Sequence, residues 1–556
     1  MRNTLRALSN KQTIINNPET QHIASLQKIK QMKKIFTLLL LCVVFAGTIQ
    51  AQSPAMNFHQ DPYFHLPLQH GAHRIGPRMD ADMQRWREYG LGQIIHFGLY
   101  SIPGGVWNGV TFTGAAEWLR NWSGISNEEY DNLINYFDPV DFCARRWARQ
   151  AREMGVRYLV FTTKHHDGFT LWPSRYTDFS IANTPWYRRT GRDIVGEIVE
   201  AYTAEGISVY LYFSIIDWNH PGYISGGNIN APDVRRAFQA GELNPFTSQE
   251  QRDAYQEFLD MTRNQLLELL ERYPAIKGLW FDGSWDVAWV YHYAWVDALG
   301  KELRERHPGL IFGSRFRSDE LGNRHEDANG HLMDDFDQRY ERNLPATLRD
   351  TRGFDWDAVM TIPENQWGFH QDWSLTYVKT SFDLIEMLVH AVSLNGNLVI
   401  NFGPDGRGNM REEENQIARE IGAWMAKNSD AIYGVRHSHL FPEKPGWGFV
   451  TQRGDDIFFV VFKRPVNNMI RVRMPRAVNR NNMFVIQNPT ILSTGETVRI
   501  NGGGRSGTFY RDKFDTHYFD LIIPESQQHV TKPFVIRLNV QEINRGDMEL
   551  FQQPLT

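Results

Sequence analysis

Asp282 ends a short apolar run, Lys277-Gly-Leu-Trp-Phe-Asp282-Gly-Ser-Trp285, in the manner of a buried parallel strand that stops on a carboxylate. In a barrel of alternating strands and helices the C-terminal strand ends face the active site, so a carboxylate there is a candidate catalyst. Asp-Gly is also ordinary turn chemistry, and the same residue could cap the next turn or helix. Other strand-like runs close in a related way: His96 ends Leu91-Gly-Gln-Ile-Ile-His96, the pair His165-His166 follows Val156-Arg-Tyr-Leu-Val-Phe-Thr-Thr-Lys, Trp218 lies just past the third run, and Arg315 follows Leu310-Ile-Phe-Gly-Ser. One histidine means little, but polar groups at several strand ends make one reactive rim.

The chemistry such a rim can do is bounded by the residue types. Zinc sites need three or four ligands at workable spacing, and neither H-E-x-x-H nor a cysteine cluster occurs, so no metal or other cofactor is expected. His165 and His166 would point to opposite faces within a strand, and share a ligand only if the chain is already turning, which Asp167-Gly168 permits. A neutral imidazole both donates and accepts, which matches a sugar hydroxyl. Arg315 and Glu117 offer charge-assisted hydrogen bonds, and Trp118 and Trp280 offer apolar faces to a sugar ring. Glycoside hydrolysis needs two carboxyl groups. Asp282 suits the nucleophile or base, with Arg315 to keep it ionised, and Glu326, Asp335, Glu341 and Asp357 are candidates for the acid.

These side chains must be positioned by a framework, and its pattern is regular. Seven strand-like runs, at 91–96, 156–164, 207–214, 277–282, 310–314, 358–362 and 397–402, alternate with helical stretches at 139–154, 194–205, 250–273, 293–307, 377–394 and 412–427. A further helix, 81–90, precedes the first run, with Met83, Trp86 and Tyr89 at helical spacing. Repeated strand-helix alternation predicts a parallel sheet, and this many units predict an α/β fold of (β/α)8-like, TIM-type form, imperfect in places. No G-x-G-x-x-G follows the first strand, which argues against a dinucleotide fold. The loop 100–126, rich in Gly and Trp, carries Glu117-Trp118 and is long enough to be functional. From about Gly434 short alternating runs replace the helices, predicting a C-terminal antiparallel β-sandwich.

The domain plan is therefore an N-terminal extension over 1–51, a lead-in over 52–79, a catalytic barrel over 80–433 and a β-sandwich over 434–556. Residues 32–51 have a basic start, a short apolar core and a small residue at the end. That is the form of a secretory signal peptide, with Met32 as the expected true start. The mature chain, from near Gln52, is expected in the periplasm or outside the cell, with no membrane span. Of two cysteines only Cys143 would remain, so no internal disulfide is possible. A net charge of -5 gives no footprint for nucleic acid, and 17 Trp, several in polar Gly-rich segments, suit a sugar cleft.

Over residues 80–440 the chain resembles the α-L-fucosidases of glycoside hydrolase family 29. The resemblance rests on His96-Phe-Gly98, Glu117-Trp118, Lys164-His-His-Asp-Gly-Phe169, Tyr212-Phe-Ser214 with Asp217-Trp218, Leu279-Trp-Phe-Asp-Gly283, Met360-Thr-Ile362, Trp367-Gly368, and Asn395-Gly-Asn-Leu398 with Asn401-x-Gly-Pro404, in that order. It implies the barrel and β-sandwich, and a retaining exo-mechanism with Asp282 as nucleophile. It also implies fucose held by His96, Glu117, Trp118, His165, His166, Tyr212, Trp280 and Arg315, with a fucosylated oligosaccharide or glycoconjugate as substrate. Glu341, four residues before Pro345, takes the acid/base position by that likeness, with Glu326 and Asp357 as alternatives. A related sugar such as α-L-galactose, or glycan binding without catalysis, are the competing readings.

Overall fold

The computed structural model describes residues 78–473, 482–501, 518–529 and 531–544. The signal-like segment 32–51 and the run Thr508-Phe-Tyr lie outside them. Eight parallel strands form the main sheet: β1 (Leu91–Ile95), β2 (Tyr158–Lys164), β3 (Ser208–Ser214), β4 (Gly278–Asp282), β5 (Ile311–Phe312), β6 (Asp337–Glu341), β7 (Trp356–Met360) and β8 (Asn397–Phe402). Their order is β5-β4-β3-β2-β1-β8-β7-β6. The two outer strands are themselves linked by a parallel bridge from Gly313 to Phe336, with Ser314 N–H donating to Phe336 O at 2.9 Å and Asp335 N–H to Phe312 O at 3.0 Å. The sheet thus curls into a (β/α)8-like arrangement whose weakest seam is between β5 and β6.

Helices α1 (Ala81–Arg87), α2 (Ala144–Met154), α3 (Ile194–Ala204), α4 (Gln249–Arg272), α5 (Tyr293–Arg306), α6 (Ser381–Ser393) and α7 (Glu412–Asn428) accompany the strands. The connections β5 to β6 and β6 to β7 contain no helix, which is the imperfection of the fold. α1 begins at Asp80, whose carboxylate caps the N–H groups of Asp82 and Met83. Its apolar residues Met83 and Trp86, with Tyr89 just beyond, join the inward side chains Ile94, Tyr158, Val160, Tyr210, Tyr212, Trp280, Ile311, Phe336, Val359 and Val399 in one cluster. That cluster is the barrel interior. Glycines make room for its large members: a Cβ on Gly92 would lie 2.5 Å from the Tyr158 ring, and one on Gly278 2.5 Å from Tyr210.

Seven strands were expected and an eighth is present, β6. Its sequence Asp337-Gln-Arg-Tyr-Glu341 has no apolar alternation, and its register against β7 shifts between Asp337 and Tyr340. Polar partners hold it instead. Ser314 Oγ accepts the Gln338 N–H at 3.0 Å, Gln338 Oε1 accepts the Arg315 N–H at 3.0 Å, and only Tyr340 packs outward, 5.0 Å from Trp356.

Beyond α7 the chain forms β9 (Arg436–His437), β10 (Gly448–Arg453), β11 (Asp456–Val461), β12 (Met469–Arg473), β13 (Asn482–Ile491), β14 (Arg499–Asn501), β15 (Tyr518–Ile522) and β16 (Phe534–Asn544). They make a five-stranded sheet, β9-β10-β11-β16-β13, and a three-stranded sheet, β12-β15-β14, both antiparallel. Ile457, Phe459 and Val461 share an apolar cluster with Ile470 and Val472 of β12 and Phe519 and Leu521 of β15. The alternate residues Phe458 and Val460, with Phe449 and Val535, join the large core around the barrel helices. β11 is therefore buried on both faces, which explains its unbroken apolar run.

Candidate active site

The strand β4 runs Gly278-Leu-Trp-Phe-Asp282, so Trp280 and Asp282 point to one side, inward. Trp280 lies in the barrel interior, stacked on Tyr212 with ring centroids 5.5 Å apart, its indole N–H donating to Asp357 Oδ2 at 3.4 Å. Asp282 stands one layer above it at the strand end. It caps no helix: Asp286 does that, accepting from Ala288 N–H. Tyr212 O–H donates to Asp282 Oδ2 at 3.0 Å, and Arg315 Nη1 donates to Oδ1 at 2.9 Å. Burial alone would raise the Asp282 pKa. The Arg315 guanidinium, with the Tyr212 hydroxyl, outweighs burial and holds the carboxyl below its ordinary value.

Arg315 is the hub. Its Nε donates to Gln338 O at 3.1 Å, and its Nη2 donates to Glu341 Oε2 at 2.7 Å. One guanidinium thus holds both carboxylates, at two of its three nitrogens. The group is buried, yet the charges of Glu341 and Asp282 overcome the cost of burial and keep it protonated. Glu341 ends β6, as Asp282 ends β4, and its side chain is 34% exposed against 13% for Asp282. The more open carboxyl is the one a departing group or a water molecule can reach.

The other acid candidates are occupied elsewhere. Asp335 accepts from Arg78, Arg304 and the Phe312 N–H, just before β6 begins and at the far end of that strand from Glu341. Glu326 is paired with Arg352 and Arg339. Asp357 is sealed inside the barrel beneath Trp280, and burial pushes its pKa up to about 8.

Three imidazoles line the opposite wall. β2 ends at Lys164, so His165 and His166 are already past the strand, in a turn closed by Gly168 N–H to His165 O at 3.1 Å, and their rings lie 4.3 Å apart. Gly168 has φ +85°, and a Cβ there would lie 2.2 Å from Asp217 Oδ1. Asp217 is the buried partner of Lys164, at 3.2 Å. Ser214 Oγ donates to Ile216 O at 2.7 Å, so it accepts from His166 Nδ1 at 2.6 Å, leaving His166 Nε2 an acceptor 3.7 Å from Asp282 Oδ2. Asn401 Nδ2 is committed to Trp367 O, so its Oδ1 accepts from His96 Nδ1 at 2.8 Å, and His96 Nε2 is likewise an acceptor. Burial lowers His96 and His166 to about 4 and His165 well below its ordinary value, so all three are neutral near pH 7.

Glu117 comes from the long loop after β1. It is wholly buried, with Oε2 accepting the Gly368 N–H at 2.9 Å and Oε1 without a partner. Burial pushes its pKa up to about 7; the Gly368 N–H opposes this and the charge of Glu341 adds to it. Trp118, next to it, is half-buried, stacked on Trp122 at 4.3 Å and edge-on to His166 at 5.1 Å and Trp218 at 5.0 Å.

Every side chain expected at the rim therefore gathers around Asp282, with Trp280 as its floor. The residues that orient them, Ser214, Gln338, Asn401 and Gly368, were not expected as site residues. Ser214, Asn401 and Gly368 stand in the motifs that carry the resemblance, but a residue whose task is to hold another gives no signal of its own.

Comparison with known proteins agrees with this geometry. A family model described as Alpha-L-fucosidase matches residues 76–430. A solved glycoside hydrolase family 29 α-L-fucosidase from Bacteroides thetaiotaomicron, trapped as a covalent intermediate with 2-fluoro-fucosyl fluoride in a glutamate-to-glutamine variant, is 40% identical with a TM-score of 0.74, covering 85% of this chain and 98% of that one. Tissue α-L-fucosidase of Homo sapiens is 25% identical over 478 residues, 79% of this chain and 86% of that one. A Caenorhabditis elegans relative named for the same activity is 26% identical over 381 residues, 62% of this chain and 65% of that one. The chain belongs to the α-L-fucosidase family of glycoside hydrolases, family 29.

Proposed function

We propose that the protein is an exported, retaining exo-α-L-fucosidase that removes terminal α-L-fucose from glycans. The observation that carries this reading is the Arg315 bridge between Asp282 and Glu341. Two carboxyls on one guanidinium suit the short separation of a retaining pair, about 5 to 5.5 Å, better than the about 6.5 to 9.5 Å that leaves room for water in an inverting one. The covalent intermediate trapped in the Bacteroides thetaiotaomicron relative supports the same reading.

In the first step Asp282 attacks the anomeric carbon while Glu341, which enters the step protonated, gives its proton to the glycosidic oxygen, releasing the glycan and leaving fucose esterified to Asp282. In the second, Glu341 takes a proton from water, which attacks the same carbon from the opposite face and frees Asp282. Arg315 keeps Asp282 ionised in the resting enzyme. His96 and His166 accept hydrogen bonds from fucose hydroxyls through Nε2, Glu117 Oε1 takes another hydroxyl, and Trp118 packs on the ring. His165 and Tyr212 complete the wall, and Trp280 supports Arg315 from below, 5.5 Å from its guanidinium.

Residues 80–433 act as the catalytic domain and 434–556 as a β-sandwich that stabilises it, a division supported by the two antiparallel sheets and their common apolar cluster. Export rests on the segment 32–51, and no helix among the described residues is long and apolar enough to cross a membrane. The test is turnover of matched aryl α-L-fucoside and α-L-galactoside, with the anomer of the first product read by NMR. Preferred release of fucose, first as its α anomer, supports the proposal. Preference for galactoside changes the sugar, and binding without turnover by either substrate refutes the enzyme.

A further inference from the structure

Six arginines are deeply buried among the described residues: Arg78, Arg120, Arg304, Arg315, Arg317 and Arg324. Five of them meet carboxylates. Arg78 pairs with Asp80 and Asp335, Arg120 with Asp131, Arg304 with Asp334 and Asp335, Arg315 with Asp282 and Glu341, and Arg317 with Asp297 and Asp334. Arg324 is different. Its side-chain partners are neutral: Nε donates to Ser284 Oγ at 3.1 Å and Nη1 to Asn230 Oδ1 at 2.9 Å, with the Trp285 ring centroid 5.9 Å from its guanidinium. A buried cation without its own counter-charge is costly, and its pKa shows the cost. Burial and the nearby charges of Arg315 and Arg235 lower it to about 9, against the partial help of Asp282.

Its position gives that cost a use. Ser284 and Trp285 lie two and three residues past Asp282, and the Trp285 ring is edge-on to His166 at 5.7 Å. Asn230 is exposed, so the guanidinium reaches from Ser284, two residues past Asp282, to a residue at the surface. Arg235, on the helix Pro232–Gln239, lies near it and among the described residues is bonded only to neutral oxygens, Ile229 O at 3.4 Å and Asn323 Oδ1 at 3.3 Å. Two arginines held by neutral partners, beside a half-buried tryptophan, suit an anion carried on a ring.

We propose that Arg324, backed by Arg235, is an acceptor subsite that takes an anionic group, a carboxylate or a sulfate ester, on the sugar to which the departing fucose is attached. The counter-charge that no described residue places on Arg324 is then supplied by the substrate, whose ring packs on Trp285. The inference rests on the fucosidase reading for the sugar on the other side of the bond.

Three fucosyl disaccharides test it, alike except that the acceptor sugar is neutral, carries a 6-sulfate, or is a uronic acid. The account predicts kcat/KM at least tenfold higher for one or both anionic substrates than for the neutral one in wild type, a ratio that shrinks with salt. The ratio should collapse toward one in Arg324→Gln and fall partly in Arg235→Gln. Preference for sulfate alone or uronate alone identifies the anion. Equal kcat/KM for all three in wild type overturns the proposal, as does a ratio unchanged in both variants. If Arg324→Gln does not fold, Arg235→Gln and the salt dependence decide. If wild type does not turn over even an aryl fucoside, the fucosidase reading fails on its own. Thermal protection by free 6-sulfated and uronic monosaccharides over neutral ones, present or absent, then decides the subsite.

Discussion

Tyr212 O–H donates to Asp282 Oδ2 at 3.0 Å, on the carboxylate oxygen that Arg315 does not hold. The two oxygens of Asp282 thus have different supports, one neutral donor and one charged. Burial and the adjacent Asp282 charge raise the Tyr212 pKa well above the phenol's ordinary value, so it donates throughout the working pH range.

Removing that donor by Tyr212→Phe keeps the ring stacked on His165 and Trp280 and deletes one hydrogen bond to a charged group. Such bonds contribute roughly 1.5 to 3 kcal/mol, so kcat/KM on an aryl fucoside should fall about 10- to 150-fold with the fold intact. Steady-state kinetics beside a circular dichroism spectrum checks this. An unchanged kcat/KM contradicts the assignment.

Arg315→Lys keeps the charge but replaces a fork by a point donor, which cannot hold two carboxylates and Gln338 O together. Activity should fall at least 100-fold. The acid limb of any residual kcat/KM profile should move to higher pH, because Asp282 loses the partner that depresses its pKa. A limb that stays in place would show that Arg315 does not set the ionisation of Asp282.

Stability should depend on pH through buried carboxyls outside the reacting pair. Burial raises Asp357 and Glu414 to about 8 and Glu117 to about 7, above their unfolded values of 3.8, 4.5 and 4.5. Each keeps its proton longer folded than unfolded, so its contribution is full below the unfolded pKa and is lost as pH rises through the folded one. His96 and His166, lowered to about 4 from 6.5, act oppositely and only below about 6.5. Between pH 6.5 and 8 the carboxyls therefore prevail, each contributing about 1.4 kcal/mol per pH unit while it stays protonated. Tm should decline over that window in wild type and decline less steeply in Asp357→Asn. Parallel curves for the two proteins would contradict this role of Asp357.

The strand carrying Asp282 is legible in sequence because it is buried on both sides, so its apolar run ends abruptly at the carboxylate. The strand carrying Glu341 is not, because Asp337-Gln-Arg-Tyr-Glu341 is fixed by Ser314 and by the backbone of Arg315, contacts that only the closed fold creates. The proposal of Glu341 as the second carboxyl came from sequence only by likeness, through its distance to Pro345. In the C-terminal region β14 has just three residues, too short a run to stand out in sequence. Helix ends were read within a few residues where a cap exists, as at Ser248 before α4 and Thr380 before α6.

The central claim is that Asp282 and Glu341 divide the work of double displacement, and chemical rescue tests it most directly. Glu341→Ala should form the fucosyl-enzyme from an activated aryl fucoside but release it slowly. Azide, which needs no base, should restore turnover and yield α-L-fucosyl azide. Asp282→Ala should lose activity, with any azide product of the opposite, β, configuration. If Glu341→Ala instead turns over normally, or azide gives the β product there, Glu341 is not the acid/base and the account is wrong.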